Sequence, residues 1–172
     1  MTPDDPLALA TRRRLYDAIR NHPGCHLREL DRKTALGVGA LRYHLDELVR
    51  LKLVRAEDDE TSRRFFPVEM VAVERRATAA LRPRVHQHIV LTLLAKGPMR
   101  QAEISRVLGL PATTVSRRVR ALLQSGLLVR NQDDSHVRVK DVELVLRVIV
   151  AYKPSYADRL ADAALEMWLD YL

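Results

Sequence analysis

Two histidines and the only cysteine of the chain fall within five positions, in the segment NHPGCHL. Imidazole and thiolate groups are preferred zinc ligands, so His22, Cys25 and His26 are the first candidates for a metal site. However, Pro23 and Gly24 end a helix and separate His22 from the other two, and no obvious fourth ligand is present. We therefore favour a helix breaker followed by a cysteine that serves as a small hydrophobe, and metal sensing is the alternative.

The sequence contains none of the motifs that usually mark an enzyme. Glycine-rich phosphate loops, a nucleophile elbow and H-E-x-x-H are all missing. One cysteine cannot form an intramolecular disulfide, and no apolar run approaches the ~20 residues that cross a bilayer. We expect a cytoplasmic protein that is not an enzyme and has no cofactor, no metal and no membrane partner.

The positive charge is concentrated in one part of the chain. The net charge is +7, and residues 83–140 contain ten Lys and Arg against three Asp and Glu. Within them, residues 104–131 contain five arginines and no acid. A solvated surface usually mixes both signs, so this segment predicts a polyanionic partner.

Apolar residues recur at matched positions when the chain is aligned with itself, without a gap, so that Leu15 falls on Ile89. Such agreement over more than fifty residues indicates a duplicated structural unit. The pairs are Leu15 with Ile89, Ile19 with Leu93, Leu30 with Ile104, Leu41 with Val115, Leu45 with Val119, Leu48 with Leu122, Leu53 with Leu127 and Phe65 with Val139.

The periodicity of each repeat predicts three helices followed by two short strands. Pro111 is expected at a first helical position, where its missing N–H has no intrahelical partner. The predicted helices cover residues 8–21, 27–34 and 38–51, then 84–95, 101–107 and 111–124. The predicted strands cover residues 53–56 and 63–67, then 127–130 and 136–140.

The fold class is therefore mainly α with small β-hairpin wings, in four segments. Residues 1–67 and 83–140 are the two repeated domains, and residues 68–82 are a connector without Gly, Pro or Ser, which predicts a helix. Residues 141–172 are a tail of two helices. The last helix has an apolar stripe broader than a one-sided surface helix needs, so it either packs on the domains or forms a homodimer interface.

Two helices joined by a short turn and followed by a hairpin are the pattern of a winged helix-turn-helix. Two segments resemble the helix-turn-helix stretches of winged-helix transcriptional regulators of the MarR and ArsR type from archaea and bacteria. They are LRELDRKTALGVGALRYHLDELVRLKLV and QAEISRVLGLPATTVSRRVRALLQSGLLV. The resemblance covers residues 8–67 and 84–140, and the tandem arrangement is similar to that of archaeal proteins. It implies a sequence-specific regulator of transcription whose third helices enter the DNA major groove.

The third helix of the second repeat suits this role. With Val115, Val119 and Leu122 inward, its outward side offers guanidinium groups that can bind guanine or phosphate, and Arg117 and Arg118 are the expected base readers. A solvated face is the alternative. The candidates on this helix are Thr113, Thr114, Ser116, Arg117, Arg118 and Arg120. Beside the second hairpin, Arg130, Arg138 and Lys140 are candidates for phosphate contact, or belong to a solvated hairpin.

The first repeat departs from the pattern. Its third helix exposes Gly39 and Glu47, and the acidic wing tip, residues 57–60, would be repelled by phosphate. This repeat is either a second DNA reader or a packing partner. The candidates are Arg42, Tyr43 and His44 on the helix and Arg63 and Arg64 on the returning strand.

Two other functions are compatible with the same sequence. A winged-helix scaffold could dock onto proteins of the transcription machinery, with its basic face incidental. A nucleoid-associated protein could bind DNA without sequence preference.

Overall fold

The structure is a computed structural model that describes residues 9–58, 62–131, 135–152 and 156. The chain divides into two compact units, Met1–Arg75 (unit 1) and Arg76–Leu172 (unit 2). Within the described residues, no helix has the length and apolar character required to cross a membrane.

The described residues of unit 1 form three complete helices, the start of a fourth and a three-stranded sheet. The antiparallel strand order is β1-β3-β2, with Cys25 opposite Phe65 and Val54 opposite Pro67. The elements are α1 (Ala10–Asn21), β1 (Cys25–His26), α2 (Leu27–Thr34), α3 (Val38–Arg50), β2 (Val54–Asp58) and β3 (Arg63–Pro67). Helix α4 (Ala72–Leu81) begins in unit 1 and ends in unit 2.

In its described residues, unit 2 repeats this order and adds the helix α8 (Val142–Ala151). Its antiparallel sheet has the order β4-β6-β5. The elements are α5 (Arg84–Lys96), β4 (Met99–Arg100), α6 (Gln101–Leu108), α7 (Ala112–Gln124), β5 (Leu128–Arg130), β6 (His136–Val139) and α8 (Val142–Ala151). The predicted fold class, mainly helical with small hairpin wings, is confirmed.

Three predicted features are wrong in detail. Each sheet has a third strand, β1 or β4, which sequence reasoning missed because two residues are too short for a periodic pattern. Pro111 is the N-cap of α7 and lies one residue before the helix. The connector becomes helical only at Ala72, because the Met70 N–H donates to the Pro67 carbonyl in a preceding turn, at 3.2 Å.

The pairing of Phe65 with Val139 is also wrong. Phe65 lies opposite Cys25, whereas the residue opposite Met99 is Val137, so Val137 is the true counterpart of Phe65. The sequence offset that pairs the helices of the two repeats also pairs strand β2 with strand β5. The sequence offset between the returning strands β3 and β6 is smaller. The second hairpin is two residues shorter, so an ungapped alignment fails after the wing.

Each unit has its own apolar core, and the repeated positions form it. Leu15, Leu41 and Ile104 are fully buried, for example, and Cys25 is fully buried in the core of unit 1. The cysteine thus packs as a small hydrophobe, as predicted.

The first part of the predicted tail belongs to the core of unit 2. Helix α8 buries Val145, Val148 and Ile149, and Tyr156 is buried in the same cluster. Burial raises the pKa of the Tyr156 hydroxyl. The predicted last helix lies outside the described residues, so dimerisation through it stays a prediction.

The predicted connector, residues 68–82, is bonded at its middle and at its end. At its midpoint, the buried Arg75 donates from Nε to Glu57 Oε1 at 2.5 Å and from Nη1 to the Met70 carbonyl. Near its end, Gln87 Nε2 donates to the Leu81 carbonyl at 2.9 Å. Its two halves therefore belong to different units.

The turn between the second and third helices contains one strained residue. Ala35 ends α2 with φ +50°, in the left-handed region, while the repeat places Gly109 with φ +63° at the matching end of α6. A side chain disfavours this conformation by about 1–2 kcal/mol.

We expect Ala35→Gly to raise the unfolding free energy by about 0.5–1 kcal/mol, since the strain relieved exceeds the added chain entropy. Urea unfolding followed by circular dichroism measures the change. Gly109→Ala is the matched control and should lower stability. Equal stability of wild type and Ala35→Gly would contradict the strain argument.

Candidate nucleic-acid interface

Helix α7 presents one row of exposed side chains opposite its buried face. Val115, Val119 and Leu122 are buried. On the opposite side of the helix, four side chains spaced four, three and four residues apart are exposed. This outer row of α7 consists of Thr113, Arg117, Arg120 and Gln124.

The turn that leads into α7 is held by hydrogen bonds. Leu110 N–H donates to the Ser105 carbonyl at 3.2 Å, and the Ser105 hydroxyl donates to the Leu110 carbonyl at 2.6 Å. Gly109 closes the preceding helix in a left-handed conformation. These bonds fix the start of α7, and with it the direction of the outer row.

Sequence reasoning missed one member of the outer row. Gln124 is exposed and lies four residues after Arg120. A side-chain amide can bind adenine through two hydrogen bonds, so its chemistry suits the row. The helical spacing from Arg117 and Arg120 was the signal that could have found it.

The six predicted residues of α7 do not share one surface. Thr113, Arg117 and Arg120 are exposed, whereas Thr114, Ser116 and Arg118 are half-buried on the flanks. Arg118 Nε is buried and has no hydrogen-bond partner within the described part of the chain. Of the two expected base readers, Arg117 therefore has the more accessible guanidinium group.

The charge of Arg118 acts on a buried histidine of α5. His86 is 6% exposed, and its Nδ1 lies 2.6 Å from the Ala80 carbonyl, so we assign the ring proton to Nδ1. Its Nε2 is buried without a hydrogen-bond partner among the residues that the structure describes. Burial lowers the pKa of His86 below its usual 6.5, and the positive charge of Arg118 lowers it further.

This environment predicts that acid destabilises the protein through His86. Below about pH 6.5 the unfolded chain binds a proton at this ring while the folded chain does not, so stability falls as pH falls. We expect the pH dependence to be weaker in His86→Asn, whose amide retains a donor to Ala80. Urea unfolding between about pH 8 and about pH 5 measures both proteins. Parallel curves would contradict the role of His86.

The candidates beside the second hairpin do not form one patch. Arg130 lies opposite Val137 and Arg138 opposite Val129, so the two arginines point to opposite faces of the sheet. Arg138 Nε also lies 3.3 Å from Asn131 Oδ1. Lys140 is exposed just after β6. Only part of this set can face one DNA duplex.

The corresponding outer row of α3 has a different chemistry. It consists of Gly39, Tyr43, Asp46 and Arg50, all exposed. Arg50 is engaged by Glu47, with Nη2–Oε2 at 2.7 Å and Nε–Oε1 at 3.2 Å. The hydrogen bond from Arg50 lowers the pKa of Glu47. The row lacks the pair of cations that α7 carries.

Three candidates of the first repeat are brought together in a cavity of unit 1 that shares Asp46 with the outer row of α3. Arg42 of α3 and Arg63 and Arg64 of β3 line an open cavity of about 860 Å³, together with Arg28 of α2, which sequence reasoning missed. Tyr43 and His44 do not line it; their rings lie edge to face, with centroids 5.2 Å apart. We call this cavity the cationic groove.

The acidic wing tip is partly neutralised. Glu57 is bound by Arg75, as described above, so its charge is not left facing phosphate. Asp58 is exposed, and residues 59–61 lie outside the described residues. The repulsion expected from residues 57–60 is therefore reduced at Glu57.

The arrangement around Cys25 is structural. Cys25 lies in β1 opposite Phe65, and His26 N–H donates to Glu29 Oε2 at 3.0 Å at the start of α2. Across the residues that the structure describes, no group of three or more His, Cys, Asp and Glu side chains is placed to hold a metal ion.

In both units, a helix-turn-helix (α2–α3 and α6–α7) is followed by a hairpin (β2–β3 and β5–β6), which defines two winged helix-turn-helix domains in tandem. Residues 9–78 match a family described as an N-terminal HTH domain, and residues 82–138 match the MarR family. The chain therefore carries an N-terminal HTH domain and a MarR-family domain in tandem. The predicted resemblance is confirmed, and MarR-family HTH domains are not enzymes.

A relative from the archaeon Methanocaldococcus jannaschii is named an uncharacterized HTH-type transcriptional regulator. It is 26% identical to this chain over 127 residues, which are 74% of this chain and 32% of the relative. The chain thus spans about a third of the length of that relative. No solved structure matches the chain.

Proposed function

We propose that the protein is a regulator of transcription that binds double-stranded DNA and reads its operator with α7. The outer row of α7 is the single observation that carries the proposal, because it offers Arg117 and Arg120 on one exposed face. The tandem HTH domains and the name of the archaeal relative support it.

In this proposal, α7 lies in the major groove with its outer row toward the base edges. Arg117 and Arg120 donate paired hydrogen bonds to guanine O6 and N7, and Gln124 pairs with adenine. The small Thr113 side chain allows close approach at the start of the helix. The buried row of Val115, Val119 and Leu122 keeps the helix fixed on the core of unit 2.

The polarity of this surface favours DNA over a protein partner. The fully buried centre of a protein interface is usually apolar and depleted in charged groups. The outer row of α7 contains two arginines, a threonine and a glutamine, and residues 104–131 contain no acid. A phosphate-lined groove complements that charge better than a protein surface does.

Retention of labelled genomic DNA fragments on a nitrocellulose filter tests the proposal. We expect selective retention of a few fragments, with affinity that falls with salt at a log–log slope of about −0.9 per neutralised phosphate. Uniform retention would favour the nucleoid-associated protein. No retention would favour the protein scaffold.

We also propose that the predicted tail, residues 141–172, supports a homodimer. Two copies of α7 set about one helical turn apart, roughly 34 Å, would match a palindromic operator. Sedimentation velocity on the full chain tests this, and a purely monomeric protein at micromolar concentration would exclude it.

A further inference from the structure

The cationic groove of unit 1 gathers charge from three elements. Arg28 comes from α2, Arg42 from α3, and Arg63 and Arg64 from β3. The lining also includes His26 and one acid, Asp46. Four guanidinium groups against one carboxylate make this concave surface strongly positive, and a concave cationic surface attracts phosphate.

Two acids near the groove are engaged by other groups, whereas Asp46 lines the groove itself. Glu29 accepts a hydrogen bond from the His26 N–H at 3.0 Å, and Glu57 accepts from Arg75 at 2.5 Å. Arg64 donates from Nη1 to the Gly24 carbonyl at 3.0 Å, which holds the β3 side of the groove against the turn before β1. The groove thus keeps its net positive charge and a fixed wall.

The four arginines of the groove have no arginine at the matching positions of the second repeat. In the alignment of the helices that pairs Leu15 with Ile89, the counterparts of Arg28 and Arg42 in unit 2 are Ala102 and Ser116. In the returning strands, where Phe65 corresponds to Val137, the counterparts of Arg63 and Arg64 are Ser135 and His136.

In the outer rows of the third helices, it is unit 2 that carries the additional arginines. Unit 2 has Arg117 and Arg120 where unit 1 has Tyr43 and Asp46. Tyr43 and Asp46 cannot donate paired hydrogen bonds to guanine, and Glu47 engages Arg50 of the same row. Unit 1 is therefore poor in groups that read guanine but rich in groups that bind phosphate.

We infer that the two domains divide the work on DNA: the cationic groove of unit 1 binds backbone phosphates without reading sequence, while α7 of unit 2 reads the bases. This inference rests on the proposed function. Its ligand is the phosphodiester backbone of duplex DNA, since phosphate contacts position a protein on DNA without carrying sequence information.

The test variant gives the groove the residues of unit 2, as Arg28→Ala with Arg42→Ser. Fluorescence anisotropy would follow two labelled duplexes, one selected by the wild-type chain from a random pool and one with the scrambled sequence. We expect both affinities to fall by the same factor, about tenfold or more, with an unchanged ratio between the duplexes. The log–log salt slope should become shallower by about 1.8, or 0.9 for each of two lost phosphates.

The matched control removes two exposed charges from α1, as Arg13→Ala with Arg14→Ser, neither of which lines the groove. It should retain nearly the wild-type salt slope, and thermal melts of all three proteins check folding.

Wild-type affinity and slope in the test variant would overturn the inference, as would a fall in the selectivity ratio, which would mean that unit 1 reads bases. Saturable binding of inorganic pyrophosphate that the variant loses while it binds DNA normally would assign the groove to a small phosphate ligand instead. Failure of the wild-type chain to select any duplex from the random pool would overturn the proposed function itself.

Discussion

Replacing Arg117 and Arg120 together by Ala is expected to remove most of the sequence preference of the protein for its operator. Both side chains are exposed on the outer row of α7, and neither is needed for the buried face of the helix. A good bidentate contact contributes about 1–3 kcal/mol of discrimination, so two contacts correspond to a loss of about 30-fold to about 10⁴-fold in preference. Anisotropy titrations on a selected and a scrambled duplex measure this ratio.

A control of equal charge separates base reading from general electrostatics. Lys96→Ala with Arg147→Ala also removes two exposed cations, from α5 and α8. We expect this control to lower the affinity for both duplexes slightly and to leave the ratio of the two affinities unchanged. If both double variants lose affinity equally and neither loses selectivity, α7 does not read bases.

The second large effect concerns the core that supports α7. Ile104 of α6 is fully buried in the core of unit 2. Ile104→Ala should lower the unfolding free energy by about 2–5 kcal/mol, because the lost side chain leaves a cavity that the neighbouring side chains cannot fill completely. Urea unfolding monitored by circular dichroism measures the change.

The same helix supplies the control for this prediction. Val107 lies three residues later and is 46% exposed. Val107→Ala should change the unfolding free energy by less than about 0.5 kcal/mol, as surface substitutions usually do. Similar losses in the two variants would contradict the assignment of Ile104 to the core and of Val107 to the surface.

The helices and their buried faces could be predicted from sequence because the apolar spacing of a helix is local. Leu41, Leu45 and Leu48 recur at the helical period, and all three are buried. The duplication gave a second, independent reading of the same pattern, since Val115, Val119 and Leu122 occupy the matching positions. Two weak local signals that agree at one fixed offset specify a fold more strongly than either alone.

The sheets were harder to predict because strand pairing is not local. The two-residue strands β1 and β4 exist only through their pairing with β3 and β6, and two residues carry no period of their own. For the same reason, the smaller sequence offset between the returning strands β3 and β6 could not be predicted. The hairpin register is set by hydrogen bonds between strands, which an ungapped comparison of sequence positions cannot detect.

The sequence by itself determined the tandem winged-helix fold, the inward rows of apolar residues and the concentration of arginine in residues 104–131, because periodicity and composition are properties of neighbouring residues along the chain. Only the tertiary structure decided which cations share a surface. It set Arg118 beside the buried His86, separated Arg130 from Arg138 across a sheet, and joined Arg28 to Arg42, Arg63 and Arg64 in one groove. These placements depend on contacts between distant segments, which no local pattern encodes.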